Sequence, residues 1–417
     1  MEFPLEDKIS FSTDKFSDEA YYELLMTKDN IEDDDSYFPT ESIDELPVWA
    51  KSTYTKDSFL ENLNDEILSF MNYCQPTPLE TLMRLHLLER LERISLSLFP
   101  DCSVHPFGSS YTGLLLPNAD VDVTVINMEE DILDAMNMFS DQLKANGFTN
   151  VVVIDAARIP VVKAVDSISL LKIDVTFHGK SGVFSSKRVV QLMEVHPQVI
   201  PIYFVVKRIL QSRGLNEVYS GGLGSYGLFL SIIAFFQHYE VVFHKPLSSN
   251  YGALLLNYLE FFVYKFNYKK LGLRVADNGA IFIKSDKTFP SGPDLLCIED
   301  PTDQSNDVTK GTFNFHKIIR VYEGAYKQLV AISLGTAPNS ATILSSVIWF
   351  AVRDRISRIK STVAFMKSVD QSNYVDVLDH VPPFPAYRIF LDSNGSSFKR
   401  KSAELKGNHP RIKKQRK

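Results

Sequence analysis

At 417 residues with 45% apolar side chains, the chain is too long for one ordinary core and can fill two. The three cysteines, Cys74, Cys102 and Cys297, make neither an even disulfide set nor a zinc spacing, which points to a reducing compartment and a packing role. A net charge of −7 hides opposed ends: residues 1–49 carry 15 acidic and 3 basic side chains, and residues 399–417 carry 9 basic and 1 acidic.

Residues 1–45 are rich in Asp, Glu and Ser and read as an acidic disordered segment, with scattered aromatics that could serve a docking motif. The start lacks the positive region of a signal peptide. The pattern Phe59, Leu60, Leu63, Ile67, Leu68, Met71 predicts a helix from Thr55 to Tyr73, closed by Pro76 and Pro78. A second helix follows, with Leu79, Leu82, Leu85, Leu88, Leu91 and Ile94 to Leu98 on its apolar side.

Chemistry enters at Phe107-Gly108-Ser109-Ser110-Tyr111-Thr112-Gly113. Gly108 lets the backbone approach a ligand, and the residues after it can open a short helix whose free N–H groups meet phosphate. In Asp120-Val121-Asp122-Val123-Thr124-Val125 the side-chain period of two sets both carboxylates on one face and three valines on the other. An isolated Asp-x-Asp is ordinarily a strand end that caps a turn; the Gly-Ser upstream changes that reading. Two carboxylates this close repel by up to ~4 kcal/mol at an effective dielectric of 20, so a cation is expected between them, and Mg²⁺ fits. Gly-Ser, ten residues, then Asp-Val-Asp-Val resembles the signature of the nucleotidyltransferase superfamily typified by DNA polymerase beta. That resemblance implies a third acid on a neighbouring strand. Leu171 to Phe177 supplies it in Asp174, with Leu171, Ile173, Val175 and Phe177 inward. A helix from Met128 to Asn146 and strands at Val151–Ile154 and Ile159–Val165 lie between, giving a mixed sheet with helices on one side.

Beyond Ser185 the pattern turns helical: Val199–Leu210, the nearly all-apolar Tyr226–Tyr239, and Tyr251–Tyr264 with Leu255, Tyr258, Leu259 and Phe262 as its stripe. The apolar core of the second of these, Tyr226–Phe236, is too short to span a bilayer, so no membrane role and a soluble intracellular protein are expected. Lys207 sits among apolar neighbours and needs a partner, a triphosphate or simply solvent reached by snorkelling. Gly221-Gly222-Leu223-Gly224-Ser225-Tyr226 offers Ser225 as an N-cap near phosphate and Tyr226 as a stacking ring, or else is a plain helix entry. A loop at 298–308 precedes helices Phe315–Ile332 and Ala341–Met366. Helical pattern fades after about Asp370. The basic groups at 399–401 and 413–417 read as nuclear import or phosphate binding, or as a solvated tail.

Taken together, Gly-Gly-Leu-Gly-Ser-Tyr after Val-Lys-Arg-Ile-Leu-Gln-Ser-Arg-Gly-Leu-Asn, the Asn-Tyr-Gly-Ala-Leu-Leu-Leu-Asn-Tyr-Leu-Glu stretch, Ile-Glu-Asp-Pro to Asn-Asp-Val, and Arg158 to Lys163 resemble the noncanonical poly(A) polymerases of the nuclear TRAMP type. The resemblance covers roughly residues 46–345. It implies an α+β fold: a nucleotidyltransferase palm (76–185) of mixed sheet and helices, and a mostly α-helical central domain (186–370) whose first helix comes from 46–75, with 371–417 as a basic tail. It implies that Asp120, Asp122 and Asp174 hold Mg²⁺, or alternatively Mn²⁺, and catalyse transfer of AMP from ATP to an RNA 3′ end. Gly108, Ser109 and Lys207 would hold phosphates, Ser225 and Tyr226 phosphate and base, and Asn306 and Lys310 would face the base. Gly182 and Ser185 fall where relatives approach the sugar or base. Gln211 stands where many relatives carry a second phosphate lysine, and Lys310 where close ones often have Arg. Uridylyl-transferring relatives place a His at the position of Asn306; the bland reading of Asn306 is turn building within 303–307. No RNA-binding module is recognisable, so the resemblance implies a zinc-knuckle protein and an RNA helicase as partners, in the nucleus or nucleolus. A terminal uridylyltransferase and a catalytically silent scaffold are the alternatives.

Overall fold

The computed structural model describes residues 58–157, 159–243, 247–286, 294–336, 342–348, 352–369 and 383–393, with Pro47, Trp49, Ala50, Gly292 and Val381. The acidic segment 1–45, Arg158 and the basic groups at 399–401 and 413–417 lie outside the described residues.

Helix α1 (Phe59–Cys74) is followed by α2 (Pro78–Leu98), whose start is set by a capping box. Thr77 Oγ1 accepts from Glu80 N at 3.2 Å, and the Glu80 carboxylate accepts from Thr77 N at 2.7 Å. The buried side of α2 includes Leu82, Met83, Leu87, Leu91 and Ile94, with Leu79, Leu88 and Leu98 half-buried against it, while Leu85 and Leu96 are exposed. The expected leucine stripe therefore holds only in part, failing at Leu85 and Leu96: a three-residue repeat slips back roughly 60° per step on a helix of 3.6 residues per turn and cannot stay wholly on one face.

Five strands follow, β1 (Ser103–Pro106), β2 (Val121–Ile126), β3 (Phe148–Ile154), β4 (Val161–Asp166) and β5 (Lys172–Phe177), with the short helix α3 (Ser109–Thr112) and α4 (Ile132–Ala145) between them. α4 begins later than the apolar pattern predicts because Asp131 caps it, accepting from Leu133 N at 2.9 Å. The sheet order is β1-β2-β5-β4-β3, and only β2 and β5 run parallel. Val121, Val123, Val125, Ile173, Val175 and Phe177 pack against α2 and, through Met136, Phe139 and Leu143, against α4. Both helices thus cover one face of a mixed sheet.

A second core gathers α5 (Ser181–Val195), α6 (Val199–Gln211), α7 (Ser225–Phe243), α8 (Tyr251–Glu260) with a π turn at Phe261–Lys265, and α9 (Phe315–Ser333). Leu63, Ile67, Phe70 and Met71 place α1 in this core, so the chain enters it first, builds the sheet, and returns. The chain is mixed α and β as expected, but three local expectations fail. Residues 298–308 are no loop: β8 (Ile298–Asp300) and β9 (Asp303–Asp307) join β6 (Leu271–Arg274) and β7 (Ala280–Ile283) in a four-stranded sheet of order β7-β6-β8-β9. Strands of three to five residues carry too little alternation to be seen in sequence. The helix expected over Ala341–Met366 is a 3-10 turn (Leu344–Ser346) and then α10 (Val352–Ser368), the turn being held by the buried Glu66 carboxylate, which accepts from Ile343 N (3.0 Å) and Leu344 N (2.6 Å). Past 370 there is a further helix, α11 (Pro385–Ser393), with Ala386, Ile389 and Phe390 buried in the helical core. The three cysteines are buried. Among the described residues no helix is long and apolar enough to cross a membrane.

The segment before α11 closes on the turn after α3. Gly113 has φ +80°, and a Cβ there would stand 2.4 Å from Phe384 Cβ. Gly113→Ala should therefore lower stability by at least about 1–2 kcal/mol from the left-handed backbone alone, read as a fall in the urea midpoint. A loss no larger than that would mean that Phe384 does not pack there, and an unchanged midpoint would mean that Gly113 is not left-handed.

Candidate active site

Parallel pairing of β2 with β5 sets Asp122 directly opposite Asp174. Side chains alternate along a strand, so both carboxylates leave the face that the valines do not use, and Asp120, just before β2, shares their parity. Thr124 and Thr176 are buried further along the same strip.

The turn at 107–113 is tied to this strand. Phe107 N donates to Asp122 O (3.1 Å) and Asp122 N donates to Ser110 Oγ (3.0 Å). Gly108, with φ +58°, donates its N–H to Ser186 Oγ on α5 (2.7 Å). A Cβ at Gly108 would come within 3.3 Å of Asp122 Oδ2, so its absence keeps the ground beside that carboxylate open. Ser109 opens the four-residue α3. Gly182 abuts the Phe107 ring, and Ser185 lies against the Tyr226 hydroxyl while donating to Ser181 O (2.9 Å).

Lys207, on α6, lies over the Tyr203 ring at 5.4 Å, and its charge acts on Asp122. Gln211 ends α6, exposed, with its Oε1 accepting from Arg208 Nη1 (2.7 Å). Ser225 is the first residue of α7 and not its cap; Gly224 precedes it, and its carbonyl accepts from Leu228 N (2.9 Å). Tyr226, Asn306 and Lys310, expected from two separate stretches, are brought together by Asp300. The Tyr226 hydroxyl donates to Asp300 Oδ1 (3.1 Å), Asn306 Nδ2 to Asp300 Oδ2 (3.1 Å), and Lys310 Nζ to Asn306 Oδ1 (2.8 Å). The turn itself is built by Asp300 and Asp303, whose side chains accept from Thr302 and Ser305, so Asn306 is not the turn builder.

Sequence reasoning assigned no role to Asp300, Lys163 or Arg84. Lys163 faces Asp174 in the β4–β5 register, and its Nζ pairs with Asp174 Oδ2. Its alternation with the inward Val162 and Ala164 was readable, but the strand it would face was not. Arg84 donates from Nη2 to Ala119 O (2.6 Å), directly behind Asp120.

Burial, then the charges of Asp174 and Asp120, push the Asp122 carboxyl up to about 7. Burial and Asp174 raise Asp120 as well, against the pull of Lys172, Lys163 and Arg84. Burial works against the charged form of Lys163, but its bond to Asp174 outweighs this and lifts its pKa. Among the described residues no three His, Cys, Asp or Glu side chains converge closely enough to hold an ion together, and Asp174 is turned to Lys163. The donor set nevertheless suits a hard divalent cation: oxygen ligands only, crowded like charges, and open ground beside Asp122.

A raised Asp122 pKa has a definite sign. The fold favours the protonated form, so its contribution is present below about pH 4 and is lost as pH rises through about 7. Asp122→Asn, which cannot ionise, should gain stability over the parent in EDTA as pH rises across that window, and saturating Mg²⁺ should shrink the gain. Thermal midpoints of both proteins against pH measure it; a pH-independent difference would show that the fold does not resist this charge.

Residues 63–191 match the family model for the central palm domain of mitochondrial-like poly(A) RNA polymerases, and residues 250–306 match the Cid1 family of poly A polymerases. The poly(A) RNA polymerase CID14 of Cryptococcus neoformans is 32% identical over 274 residues, 64% of this chain and 36% of that protein. Its Schizosaccharomyces pombe counterpart is 31% identical over 296 residues, 68% of this chain and 42% of that protein. This chain therefore spans only about two fifths of the length of these relatives. An inactive noncanonical poly(A) RNA polymerase of Drosophila melanogaster, Trf4-2, is 33% identical over 278 residues, 64% of this chain and 68% of its own length. The polymerase core of TRAMP, an RNA surveillance complex, superposes with a TM-score of 0.64 at 27% identity, covering 71% of this chain and 96% of that one. With the Gly-Ser turn, the three aspartates and both family models in one chain, this protein belongs to the noncanonical poly(A) RNA polymerases of the TRAMP type, within the nucleotidyltransferase superfamily.

Proposed function

We propose that this chain is a template-independent adenylyltransferase that moves AMP from ATP to RNA 3′ ends with release of pyrophosphate. The observation that carries the reading is the Asp122–Asp174 register beside the open ground at Gly108, with Asp120 on the same face. Asp120, Asp122 and Asp174 would hold two Mg²⁺, or Mn²⁺, which when bound stabilise the attacking and leaving oxygens of an in-line displacement.

The chain's own residues supply the rest. The RNA 3′-oxygen attacks the α-phosphorus, the bond to the bridging oxygen breaks, pyrophosphate leaves, and the 3′-hydroxyl proton passes to an Asp174 oxygen. For this Lys163 must yield the carboxylate that it now pairs. Gly108, Ser109 and Lys207 position the phosphates, with Gln211 a weaker contributor than a lysine would be. Ser225 lies at the α7 N-terminus beside Tyr226, whose ring stacks on the base, with Gly182 and Ser185 toward the sugar. Catalysis of this kind is mostly positioning and electrostatics. The double variant Asp120→Ala, Asp122→Ala should fold and yet lose at least about 100-fold in extension of a labelled RNA oligonucleotide with ATP and Mg²⁺. Undiminished extension would remove the aspartates from the mechanism. A parent that itself fails to extend the oligonucleotide would instead favour the silent-scaffold reading, which the inactive relative keeps in view.

Asn306 carries the choice of nucleotide. Asp300 and Lys310 fix its amide with oxygen toward Lys310, leaving one N–H and one lone pair for a base edge. A donor–acceptor pair to a base edge is worth ~1–3 kcal/mol of discrimination, so the preference for ATP should be strong but leaky. With all four nucleotides at equal concentration the parent should add oligo(A), and Asn306→His should shift the tails toward U. U-rich tails from the parent would move the protein to uridylyl transfer. The substrate role in nuclear RNA surveillance, with a zinc-knuckle RNA-binding subunit and an RNA helicase as partners and a nuclear or nucleolar address, completes the proposal. It rests on the likeness to the TRAMP polymerase core.

A further inference from the structure

Arg84 is a cation buried behind the acidic cluster, at 7% exposure. It lies on α2, on the side that packs toward the sheet, and donates from Nη2 to the carbonyl of Ala119, the residue before Asp120. Nη1 has no hydrogen-bond partner among the described residues. Glu80, Asp120 and Asp122 are the negative charges acting on it, and Arg358 is the positive one. A buried guanidinium with an unmatched donor costs stability, so packing alone gives no reason for a charge here.

One turn earlier on the same helix, Glu80 is held from the other side. Arg358 of α10 donates from Nε to Glu80 Oε1 and from Nη2 to Glu80 Oε2, both at 2.6 Å, and from Nη1 to Tyr73 O at 2.7 Å. Arg358 therefore clamps the α1–α2 junction, where the chain passes from the helical core to the sheet. Arg84, Glu80, Asn118, Arg358 and Ser361 line one cavity behind the strand. Asn118 also reaches α10, donating from Nδ2 to Asp354 Oδ1 at 3.3 Å. The stretch 117–119, which leads into the acidic strand, is thus gripped from α2 and α10 together.

We propose that Arg84 is a positioning residue for Asp120: it fixes the Ala119 peptide from behind the strand and places compensating positive charge beside the acidic pair, with the Glu80–Arg358 pair anchoring that grip to α10. The inference rests on the reading of the aspartates as divalent-cation ligands. Groups that hold a metal-binding carboxylate from behind are worth about 10–100-fold in metal affinity.

The test uses the full chain and Mn²⁺ alone, with free Mn²⁺ read by electron paramagnetic resonance and folding read by circular dichroism. Arg84→Met, which fills the space but cannot donate to Ala119, should weaken Mn²⁺ binding by about 10–100-fold, the lost grip on the Asp120 backbone outweighing the removed charge, with Arg84→Lys between it and the parent. Extension assays should show the same ranking in the metal concentration at half-maximal rate, with the KM for ATP at saturating metal little changed. Arg358→Lys, which loses the two-pronged grip on Glu80, should shift the metal midpoint in the same direction by less. A parental or tighter Mn²⁺ midpoint in both Arg84 variants overturns the proposal, and if Arg84→Met does not fold, a parental or tighter midpoint in Arg84→Lys overturns it. Absence of Mn²⁺ binding by the parent itself would instead strike the reading of the aspartates as ligands.

Discussion

The site depends on one forced proximity. Parallel pairing of β2 and β5 puts Asp122 and Asp174 side by side, and neither strand can move away without giving up its valines to solvent. The hydrophobic face of the sheet thus holds together like charges that would otherwise separate. The work of opposing that repulsion falls to cations drawn from several elements: Lys163 from β4, Lys207 from α6 and Arg84 from α2. A divalent ion would take over most of it, which is why a cluster unfavourable on its own is sound as a binding site.

The two cores meet around this cluster. Gly108 and its turn hang from β2 and are tied to α5 through Ser186, while Lys207 and Tyr226 project from α6 and α7 of the helical core. A nucleotide between them would touch both. The contacts that set their spacing come from far along the chain: Arg358 on the α1–α2 junction, and the residues around Phe384 on the turn after α3. Arg358 and Phe384 lie outside the stretches that match the family models, as do Lys207 and Tyr226 themselves.

Much of the site was legible because its chemistry is local. Gly-Ser and Asp-x-Asp declare themselves within twenty residues, and the alternation around Asp174 shows which way it points whatever strand lies beside it. What stayed hidden were pairings across sequence distance. Asp300 sits in a motif that was read, yet nothing in sequence says that it joins Tyr226 to Asn306. Lys163 looks like any outward lysine until β4 is laid against β5. The helix expected over 341–366 failed because a buried glutamate 277 residues upstream caps its first part.

By itself the sequence determined the acidic strand and the apolar helices of the second core, since these follow from periodicity and composition over short windows, and its motifs carried the resemblance that implied the fold class and the partner acid Asp174. Tertiary structure decided the rest: the true inner stripe of α2, the four-stranded sheet that presents Asn306, the pairing of Lys163 with Asp174, and the placing of Arg84 behind Asp120. Those features arise from strand register and from charges buried against one another, and both are properties of elements brought together and not of any one of them.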